Sequence, residues 1–478
     1  MKSSLPTNND VKKILLKRQR RKNIIPAHAT ATSILNAEIL DCYKAIEKTT
    51  SHPLREAVDK QLRDLLDRKQ QAEDNIVENF RQQLEDYILN PPKKLRLKIG
   101  IQNDRRIITW NKRRSTLLLF DELCALKLRQ SFHVNYYGRD RLIRILLDGI
   151  VGTEDAKTSS RRSILRLDIK NFYESINRVK LVKKLSSHSG VPGYITNHIE
   201  RISDSMKRLD TRFNECGLPN GISSSSVLSE IYLESLDRAV KNHPAVSIYL
   251  RYNDDILAII EPGWESDVSN LVIKQLEELG LKVSDKNEKY TLIKHPDDSE
   301  SGFEYLGYSF VFDSSKNHLS SIDISTKKTA RLKRAVDNIC DLIDEMPCVV
   351  NSPRMNHAMK CVEYLMRPHF SDPGTGATRI VSGLAYSAKF VRHSPQQQKN
   401  LKEFIEYAKQ QIMGKVRTKL NINGSTKACT CCGLEVPEKY DLMSKMTIYA
   451  SFENVMCSPA VPHVIEDERK RIFNVLWK

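Results

Sequence analysis

The sequence predicts an α+β fold in which an antiparallel sheet is backed by helices, with helical regions towards both ends of the chain. Short apolar runs bounded by turn residues indicate strands, most clearly at 164–169 and 246–260. Apolar residues recur at helical spacing within 31–90, and 324–420 is mostly helical and basic. Strand, helix, helix and hairpin follow one another through the middle of the chain, an order typical of such a sheet.

The composition limits the class of protein. At 478 residues, the chain is long enough for two to three structural units. Hydrophobic residues make up 40% and charged residues 28%, which is typical of a globular protein, and the formal net charge is +17. This charge favours a polyanionic partner, most simply nucleic acid, without separating DNA, RNA and an anionic membrane surface.

Targeting and redox features favour a cytoplasmic location. The sequence has no apolar stretch near the ~18 residues that a spanning helix needs. No apolar signal core follows the first six residues, Met-Lys-Ser-Ser-Leu-Pro. The ten cysteines are scattered without a dense paired pattern, which fits a reducing compartment. We therefore expect a cytoplasmic protein that does not enter a membrane.

The N-terminal region, 1–94, is predicted to be a basic arm followed by helices. Lys12–Lys22 is a basic run, for which a solvated arm and a specific nucleic-acid contact both remain open. Helical spacing continues to residue 90, where Pro91 and Pro92 end the pattern.

A β-hairpin that carries three cations follows. Alternating apolar residues over 95–110, with a turn at Asn103, predict two strands that bear Lys98, Arg105 and Arg106. Cations on a stiff hairpin could grip a triphosphate or a template backbone. The alternative is an edge strand that its charges protect from pairing.

A lone acidic residue ends the next predicted strand. The buried-strand pattern at 164–169 leads to Asp168, and Phe172 and Tyr173 follow it. Further on, a Gly-Pro loop at 217–221 leads into a serine run and a helix. The serines could cap this helix, or backbone N–H groups at its start could face phosphates or a base pair.

Two adjacent carboxylates lie at the tip of a predicted buried hairpin. Asp254 and Asp255 are placed between the apolar runs Val246–Tyr252 and Ile256–Ile260, and Asn253 joins them in a tight turn. Like charges this close repel, so burying both in ionised form requires a cation, and a hard divalent ion suits oxygen ligands. An isolated Asp-Asp pair is more often a polar turn with solvated side chains, so the interpretation depends on other acidic residues.

Asp168 is a further acidic residue that could share a metal site with Asp254 and Asp255. It lies 86 positions before Asp254 (254 − 168), and each residue is at the end of an apolar strand. Two strand-end carboxylates that meet in space can hold two divalent ions about 4 Å apart. Such ions lower the pKa of an attacking 3′-hydroxyl and neutralise charge on a transferred phosphate, while the protein positions the reactants.

Taken together, these motifs resemble those of a reverse transcriptase, over about residues 95 to 312. Five motifs occur in the family's order: Leu165–Tyr173, Gly217–Gly221, Tyr252–Asp255, Leu279–Leu281 with the lysines that follow, and Tyr305–Tyr308. The resemblance implies a right-hand polymerase fold, with a helical N-terminal region at 1–94, fingers at 95–162, an antiparallel-sheet palm at 163–312, a helical C-terminal thumb at 313–423 and a cysteine-containing tail at 424–478. It also implies an RNA-directed DNA polymerase, a nucleotidyltransferase, that uses two Mg²⁺ ions, an RNA template and deoxynucleotides to make DNA.

The resemblance also implies roles for individual residues. Asp168 and Asp254, with Asp255 beside them as the third catalytic acid and metal ligand, would bind the metal ions, and the backbone carbonyl of Ile169 would complete one metal shell. Tyr173 would be a steric gate against the ribose 2′-hydroxyl, and packing beside its aromatic neighbour is the alternative. Contacts to the substrate or template would come from five polar side chains: Lys98, Arg105, Arg106, Asn220 and Lys289.

Lys289 would donate a proton to the leaving pyrophosphate, with Lys286 as second choice and a solvated lysine as the alternative. Asn220 departs from the family's pattern, because Gln is usual there and the shorter amide reaches less far. Asn253 is an unusual residue in the Tyr-x-Asp-Asp box, although a turn tolerates it.

The type of reverse transcriptase is narrowed by what the sequence does not carry. It shows no RNase H domain, endonuclease, intron-maturase thumb motif or retron Val-Thr-Gly. The resemblance that remains is to the bacterial defence-associated or abortive-infection type. Members of that group often work with a dedicated non-coding RNA in antiphage defence, and some make DNA with little template guidance.

The C-terminal cysteines suggest a second metal. Cys429 and Cys432, followed by Gly433, have the spacing of a zinc knuckle. Cys457 and His463 are the residues left to complete a tetrahedral Zn²⁺ site. Cytosolic thiols packed as small hydrophobes are the alternative.

Three other functions stay open. One is template-independent or protein-primed DNA synthesis at the same carboxylates. Another is a non-catalytic RNA-binding scaffold that keeps the fold, and the third is RNA-directed RNA synthesis. An oligomer or a second protein partner also remains open.

Overall fold

The structure is a computed structural model of the chain. It describes residues 5–20, 26–48, 52–102, 105–111, 115–135, 137–151, 162–209, 215–284, 290–293, 301–313, 318–346, 348, 353–367, 369–370, 380–391, 399–423, 426–436, 471–472 and 474–476.

Groups of helices and groups of strands follow one another along the described residues. The helices are α1 Asn8–Arg20, α2 Pro26–Lys48, α3 His52–Leu89, α4 Ser115–Ser131, α5 Arg139–Val151, α6 Phe172–Ser175, α7 Arg178–Ser186, α8 Gly193–Leu209, α9 Ser223–Tyr232, α10 Glu234–Lys241, α11 Glu265–Leu279, α12 Thr326–Asp344, α13 Pro353–Met366, α14 Leu384–Ser387 and α15 Lys399–Arg417. The strands are β1 Leu97–Gln102, β2 Arg105–Trp110, β3 Ser163–Asp168, β4 Val246–Tyr252, β5 Asp255–Ile260, β6 Tyr290–Ile293, β7 Ser301–Tyr305, β8 Tyr308–Asp313, β9 His318–Ile324, β10 His369–Phe370, β11 Ile380–Ser382, β12 Leu420–Asn423 and β13 Thr426–Cys429. Among the helices described, none combines the length and apolar character needed to span a bilayer.

The chain divides into two compact units, each built from several segments. The first comprises Met1–Tyr136, Asp168–His243 and Ser269–Lys286. The second comprises Tyr137–Leu167, Pro244–Val268 and Asn287–Lys478.

In the first unit, the N-terminal basic run forms a packed helix. Val11, Ile14 and Leu15 lie on one face of α1 and are buried, because spacings of three and four residues fall on the same side of a helix. Helix α1 packs against α3 and α4. The cations of the run up to Arg20 therefore lie on a helix whose apolar face is covered, which differs from the predicted arm, and the last two lie outside the described residues.

A four-stranded sheet in the order β4-β5-β3-β6 carries the acidic residues. Strands β4 and β5 pair antiparallel, and so do β3 and β6. Every residue of β5 after Asp255 is buried, which explains why that strand is a continuous apolar run. This sheet and the helices agree with the predicted α+β class of helices and antiparallel strands.

The second unit also holds a large hydrophobic core around a three-stranded sheet, β7-β8-β9. Leu306 and Gly307 form the two-residue turn between β7 and β8, with φ angles of 48° and 86°. Phe303 and Phe310 face each other across these strands and stack at 5.0 Å between ring centroids. Helices α12, α13 and α15 contribute many of the other buried side chains of this core, and α5 adds four more.

Candidate active site

The Asp-Asp pair begins at a two-residue hairpin turn. Tyr252 pairs with Asp255 across the hairpin, so Asn253 and Asp254 form the turn itself. Asn253 has φ 56°, a left-handed conformation that asparagine adopts more readily than most residues. Arg251 donates a hydrogen bond to the carbonyl of Asn253 at 3.0 Å. The unusual residue in the Tyr-x-Asp-Asp box therefore suits the backbone that holds Asp254 in place.

Asp255 is paired with a cation on the neighbouring strand. The Nε atom of Arg166 in β3 lies 3.2 Å from Oδ1 of Asp255, and both side chains are mostly buried. This contact places the later part of β3 beside the first residue of β5. Tyr305 lies near the pair, and burial, with a smaller effect from the charge of Asp255, raises the pKa of its hydroxyl well above the ordinary value.

Asp168 lies at the end of β3, two residues after Arg166. Alternate residues of a strand project from the same face, so Asp168 and Arg166 share a face about 7 Å apart along the strand. Asp168 is 8% exposed, so its carboxyl is held within the protein. Its backbone carbonyl accepts a hydrogen bond from Ser284 N at 2.9 Å. Asp168 is thus the last residue of the strand whose Arg166 contacts Asp255.

Ile169 continues this pairing. It forms an antiparallel bridge with Val283, closed by Lys170 N to Lys282 O at 2.8 Å and by the Ser284–Asp168 bond. In a bridge closed by the flanking residues, the central residue's own C=O points away from the partner strand. The carbonyl of Ile169 is therefore directed away from Val283.

Tyr173 is positioned by the Gly-Pro loop. Its backbone carbonyl accepts from Leu218 N at 2.7 Å, and Gly217, at φ 101°, donates to Ile176 O at 2.8 Å. The ring is half-buried and meets Phe172 edge-on, with centroids 5.4 Å apart. Ser229 in α9 lies 3.5 Å from the Tyr173 hydroxyl. The ring contacts its aromatic neighbour and is also partly exposed, so the geometry is compatible with both predicted roles, packing and a steric gate.

Asn220 fastens the same loop to the cationic hairpin. Its Oδ1 accepts a hydrogen bond from Ile108 N of β2 at 2.8 Å, and Gly221 N donates to Ile108 O at 2.9 Å. A Cβ atom at Gly221 would lie 2.8 Å from that carbonyl oxygen, which is why the chain has glycine there. The oxygen of the Asn220 amide thus holds β2 in place.

A buried carboxylate that the sequence reasoning missed caps helix α9. Asp121 in α4 accepts hydrogen bonds from Ser223 N at 2.7 Å and from Ser224 N at 3.3 Å, and also from Ser224 Oγ at 2.5 Å. Burial raises the pKa of Asp121 to about 6, while these donors oppose the shift. The Ser223 and Ser224 N–H groups, two of those that could have faced a phosphate, instead donate to this side chain. The available signal was an Asp-Glu pair inside the apolar run of α4.

The remaining predicted substrate contacts are only partly described. Lys98 lies on β1 opposite Thr109 and is exposed. Arg105 and Arg106 lie on β2, and their side chains fall outside the description. Lys289 and Lys286 lie outside the described residues.

Only two of the four predicted zinc ligands lie in the part of the chain that the structure describes. Cys429 and Cys432 are close together, whereas Cys457 and His463 lie outside the described residues. Cys348 and Cys431, which the zinc prediction did not include, complete a cluster with the first two.

The central part of the chain matches a known family. A family model described as "Reverse transcriptase (RNA-dependent DNA polymerase)" matches residues 102–310, which include every acidic position discussed above. A search of curated protein sequences finds no match.

Among solved structures, two of apo telomerase from Candida tropicalis are similar to the chain. The form truncated from the C-terminal domain is 14% identical with a TM-score of 0.33, over 64% of this chain and 80% of that one. The other is 13% identical with a TM-score of 0.37, over 94% of this chain and 85% of that one. By the family match, residues 102–310 form a reverse transcriptase domain, and the protein is an RNA-directed DNA polymerase, a nucleotidyltransferase.

Proposed function

We propose that the protein adds deoxynucleotides to a primer at Asp168 and Asp254, with Asp255 beside them, and copies an RNA template. The observation that supports this proposal is the contact between Arg166 and Asp255, because Asp168 ends the strand that carries Arg166 and Asp254 precedes Asp255 in the hairpin turn. Two strand-end carboxylates that share a pair of divalent ions would support two-metal phosphoryl transfer.

The donor set fits Mg²⁺. Carboxylate and backbone carbonyl oxygens are the hard ligands that this ion accepts. Asp168, Asp254 and the carbonyl of Ile169 would hold the ions, which supply charge neutralisation at the reacting phosphate. Asp255 shares its charge with Arg166, so its main task is to hold the turn, and through it Asp254, against β3.

The rest of the domain positions the substrates. Tyr173 would exclude a ribose 2′-hydroxyl by its ring, which the 217–218 loop holds at the backbone. Asn220 would keep β2 in place, so that Lys98, Arg105 and Arg106 of the hairpin can contact the triphosphate or the template. Lys289 would return a proton to the leaving pyrophosphate.

The test is primer extension on an RNA template with deoxynucleotides and Mg²⁺. Asp168→Asn and the double variant Asp254→Asn/Asp255→Asn should each lower the rate by at least about 10²–10³-fold, because the ions lose charged ligands. Asp64→Asn in α3 removes an exposed carboxylate by the same chemical change and serves as the matched control. Full extension by the double variant would refute these residues as the polymerase centre. Full biological activity of a double variant that no longer extends primers would instead favour the RNA-binding scaffold.

We further propose that this polymerase works in the cytoplasm in bacterial antiphage defence, with a dedicated non-coding RNA as its template. The support is the resemblance of the motifs to the defence-associated reverse transcriptases. Sequencing the RNA that co-purifies with the protein, and the DNA that it extends, tests this directly. One enriched RNA species whose complement appears in the DNA would support the proposal. DNA without a matching RNA would refute the templated form and favour template-independent or protein-primed synthesis.

A further inference from the structure

Four cysteines from two segments of the second unit, far apart in sequence, form a cluster. Cys348 follows α12, Cys429 ends β13, and Cys431 and Cys432 lie in the turn after that strand. Their Sγ atoms all lie within 4.8 Å of one another. Cys348 and Cys429 are 81 positions apart, so the fold, and not local sequence, gathers the cluster.

The sulfur separations suit a tetrahedral zinc ion. With Zn–S bonds of about 2.3 Å, two ligands of a regular tetrahedron lie about 3.8 Å apart. Cys348 Sγ is 3.6 Å from Cys429 Sγ and 3.7 Å from Cys432 Sγ. Cys429 Sγ and Cys431 Sγ are 3.1 Å apart, which is far longer than the ~2.05 Å of a disulfide and must open by several tenths of an ångström around an ion.

The turn that carries three of the thiols is tightly built. Strands β12 and β13 pair antiparallel up to Leu420 and Cys429. Cys429 N donates to Leu434 O at 2.8 Å, and Gly433, at φ 68°, donates to Cys429 O at 2.8 Å. These bonds fold the chain back sharply and bring Cys432 towards Cys429. Glycine at 433 allows the left-handed backbone that this turn requires.

Lys419 joins both sides of the cluster through hydrogen bonds. Its Nζ donates to Asp344 O, at the end of α12, at 3.0 Å. It also donates to Met346 O, two residues before Cys348. Its own carbonyl accepts from Thr430 N at 3.1 Å, one residue after Cys429. The two backbones that present the thiols are therefore held in place by contacts that do not involve sulfur.

We propose that Cys348, Cys429, Cys431 and Cys432 bind one Zn²⁺ ion. Four thiolates complete the tetrahedron, so the ion has a structural role and leaves no position for a substrate. The ion clasps the segment after α12 to the β12–β13 hairpin. Cys429 is 1% exposed while Cys431 and Cys432 are exposed, which gives the ion a route from solvent. Cys348 and Cys431 thereby take the places that the sequence reasoning gave to Cys457 and His463.

The experiment measures metal content in full-length protein purified without added metal or chelator. The wild-type protein should contain about one zinc ion per chain, and Co²⁺ exchanged for it should give the strong visible absorption of tetrahedral thiolate ligation. Cys348→Ser and Cys431→Ser should each reduce the zinc content to near zero. Cys216→Ser is the matched control, because it removes a partly exposed thiol of the first unit and should leave the zinc content unchanged.

Several outcomes would overturn the proposal. Wild-type protein that neither contains zinc nor takes up Co²⁺ would remove the site, without reference to the folding of any variant. Thiols that become titratable only after reduction would show a disulfide instead. Zinc that survives Cys431→Ser but is lost in Cys457→Ser would refute Cys431 as the fourth ligand. Each of these readouts is independent of polymerase activity.

Discussion

Replacing Asp121 by asparagine should change how the stability of the protein depends on pH. The carboxylate of Asp121 lies at the start of α9 and accepts hydrogen bonds from Ser223 N and Ser224 N. Asp121→Asn keeps one side-chain oxygen for these donors, and its amide can donate to Ser224 Oγ. The variant therefore preserves the shape of the cap and removes only the titration.

The size of the effect follows from the pKa. Burial raises the pKa of Asp121 from 3.8 to about 6, with a smaller contribution from the neighbouring Glu122. A shift of about two units corresponds to roughly 3 kcal/mol. Because the folded-state pKa is raised, the folded protein binds the proton more tightly than the unfolded chain. This stabilisation is fully present below about pH 3.8 and is lost as the pH rises through about 6.

Two nearby titratable groups, His198 and Glu122, should not add to the pH dependence of the stability difference between the wild type and Asp121→Asn. His198 Nε2 lies 4.0 Å from Asp121, and burial lowers its pKa to about 3, so the folded protein keeps this imidazole neutral across the range. The titration of His198 in the unfolded chain is the same for wild type and variant and cancels in their difference. Glu122 accepts a hydrogen bond from Ser223 Oγ at the same cap and is unchanged in the variant.

The assay is urea unfolding of both proteins at several values between pH 4.5 and 7.5, with hydrogen exchange at the Ser223 and Ser224 amides as a local readout. The free energy of unfolding of the wild type, minus that of Asp121→Asn, should fall by about 2 kcal/mol across this interval, because part of the full ~3 kcal/mol is already lost between pH 3.8 and 4.5. Asp64→Asn, an exposed change of the same kind, should give a flat difference. A wild-type advantage that stays constant or grows with pH would mean that the hydrogen bonds outweigh burial, contrary to this reasoning.

Two further predictions concern the loop and the aromatic ring beside it. Gly221→Ala should lower the free energy of unfolding by about 1–3 kcal/mol and raise KM for deoxynucleotides, because its Cβ would lie 2.8 Å from Ile108 O and push β2 away. Gly193→Ala is the control, because the space around that residue is open. Equal effects of the two substitutions would contradict the reasoning. Tyr173→Ala should reduce discrimination against ribonucleotides by about tenfold or more, whereas Tyr173→Phe keeps the ring and should keep the discrimination in a competition assay. Unchanged discrimination in Tyr173→Ala would leave only the packing role of this ring.

The parts of the fold that could be predicted from the sequence are those set by neighbouring residues. Alternating apolar residues and an asparagine turn are enough to place the β4–β5 hairpin, and the structure has Asn253 and Asp254 at its tip. Helix α1 could also have been recognised, because Val11, Ile14 and Leu15 have helical spacing. The cations of that run favour an exposed arm, but charged residues mark the solvent-facing side of a helix and do not identify the face that packs.

The parts that could not be predicted are polar contacts between distant segments. Asp121 is 102 positions from Ser223, and Cys348 is 81 positions from Cys429, so no local period connects either pair. The sequence does contain a weaker signal of one kind. A charged residue within an apolar helical run must find polar partners when it is buried, so Asp121 could have been marked as a residue with a distant contact. Which contact it makes depends on how α4 packs against α9, and that is fixed by apolar side chains whose patterns specify a buried face without specifying its neighbour.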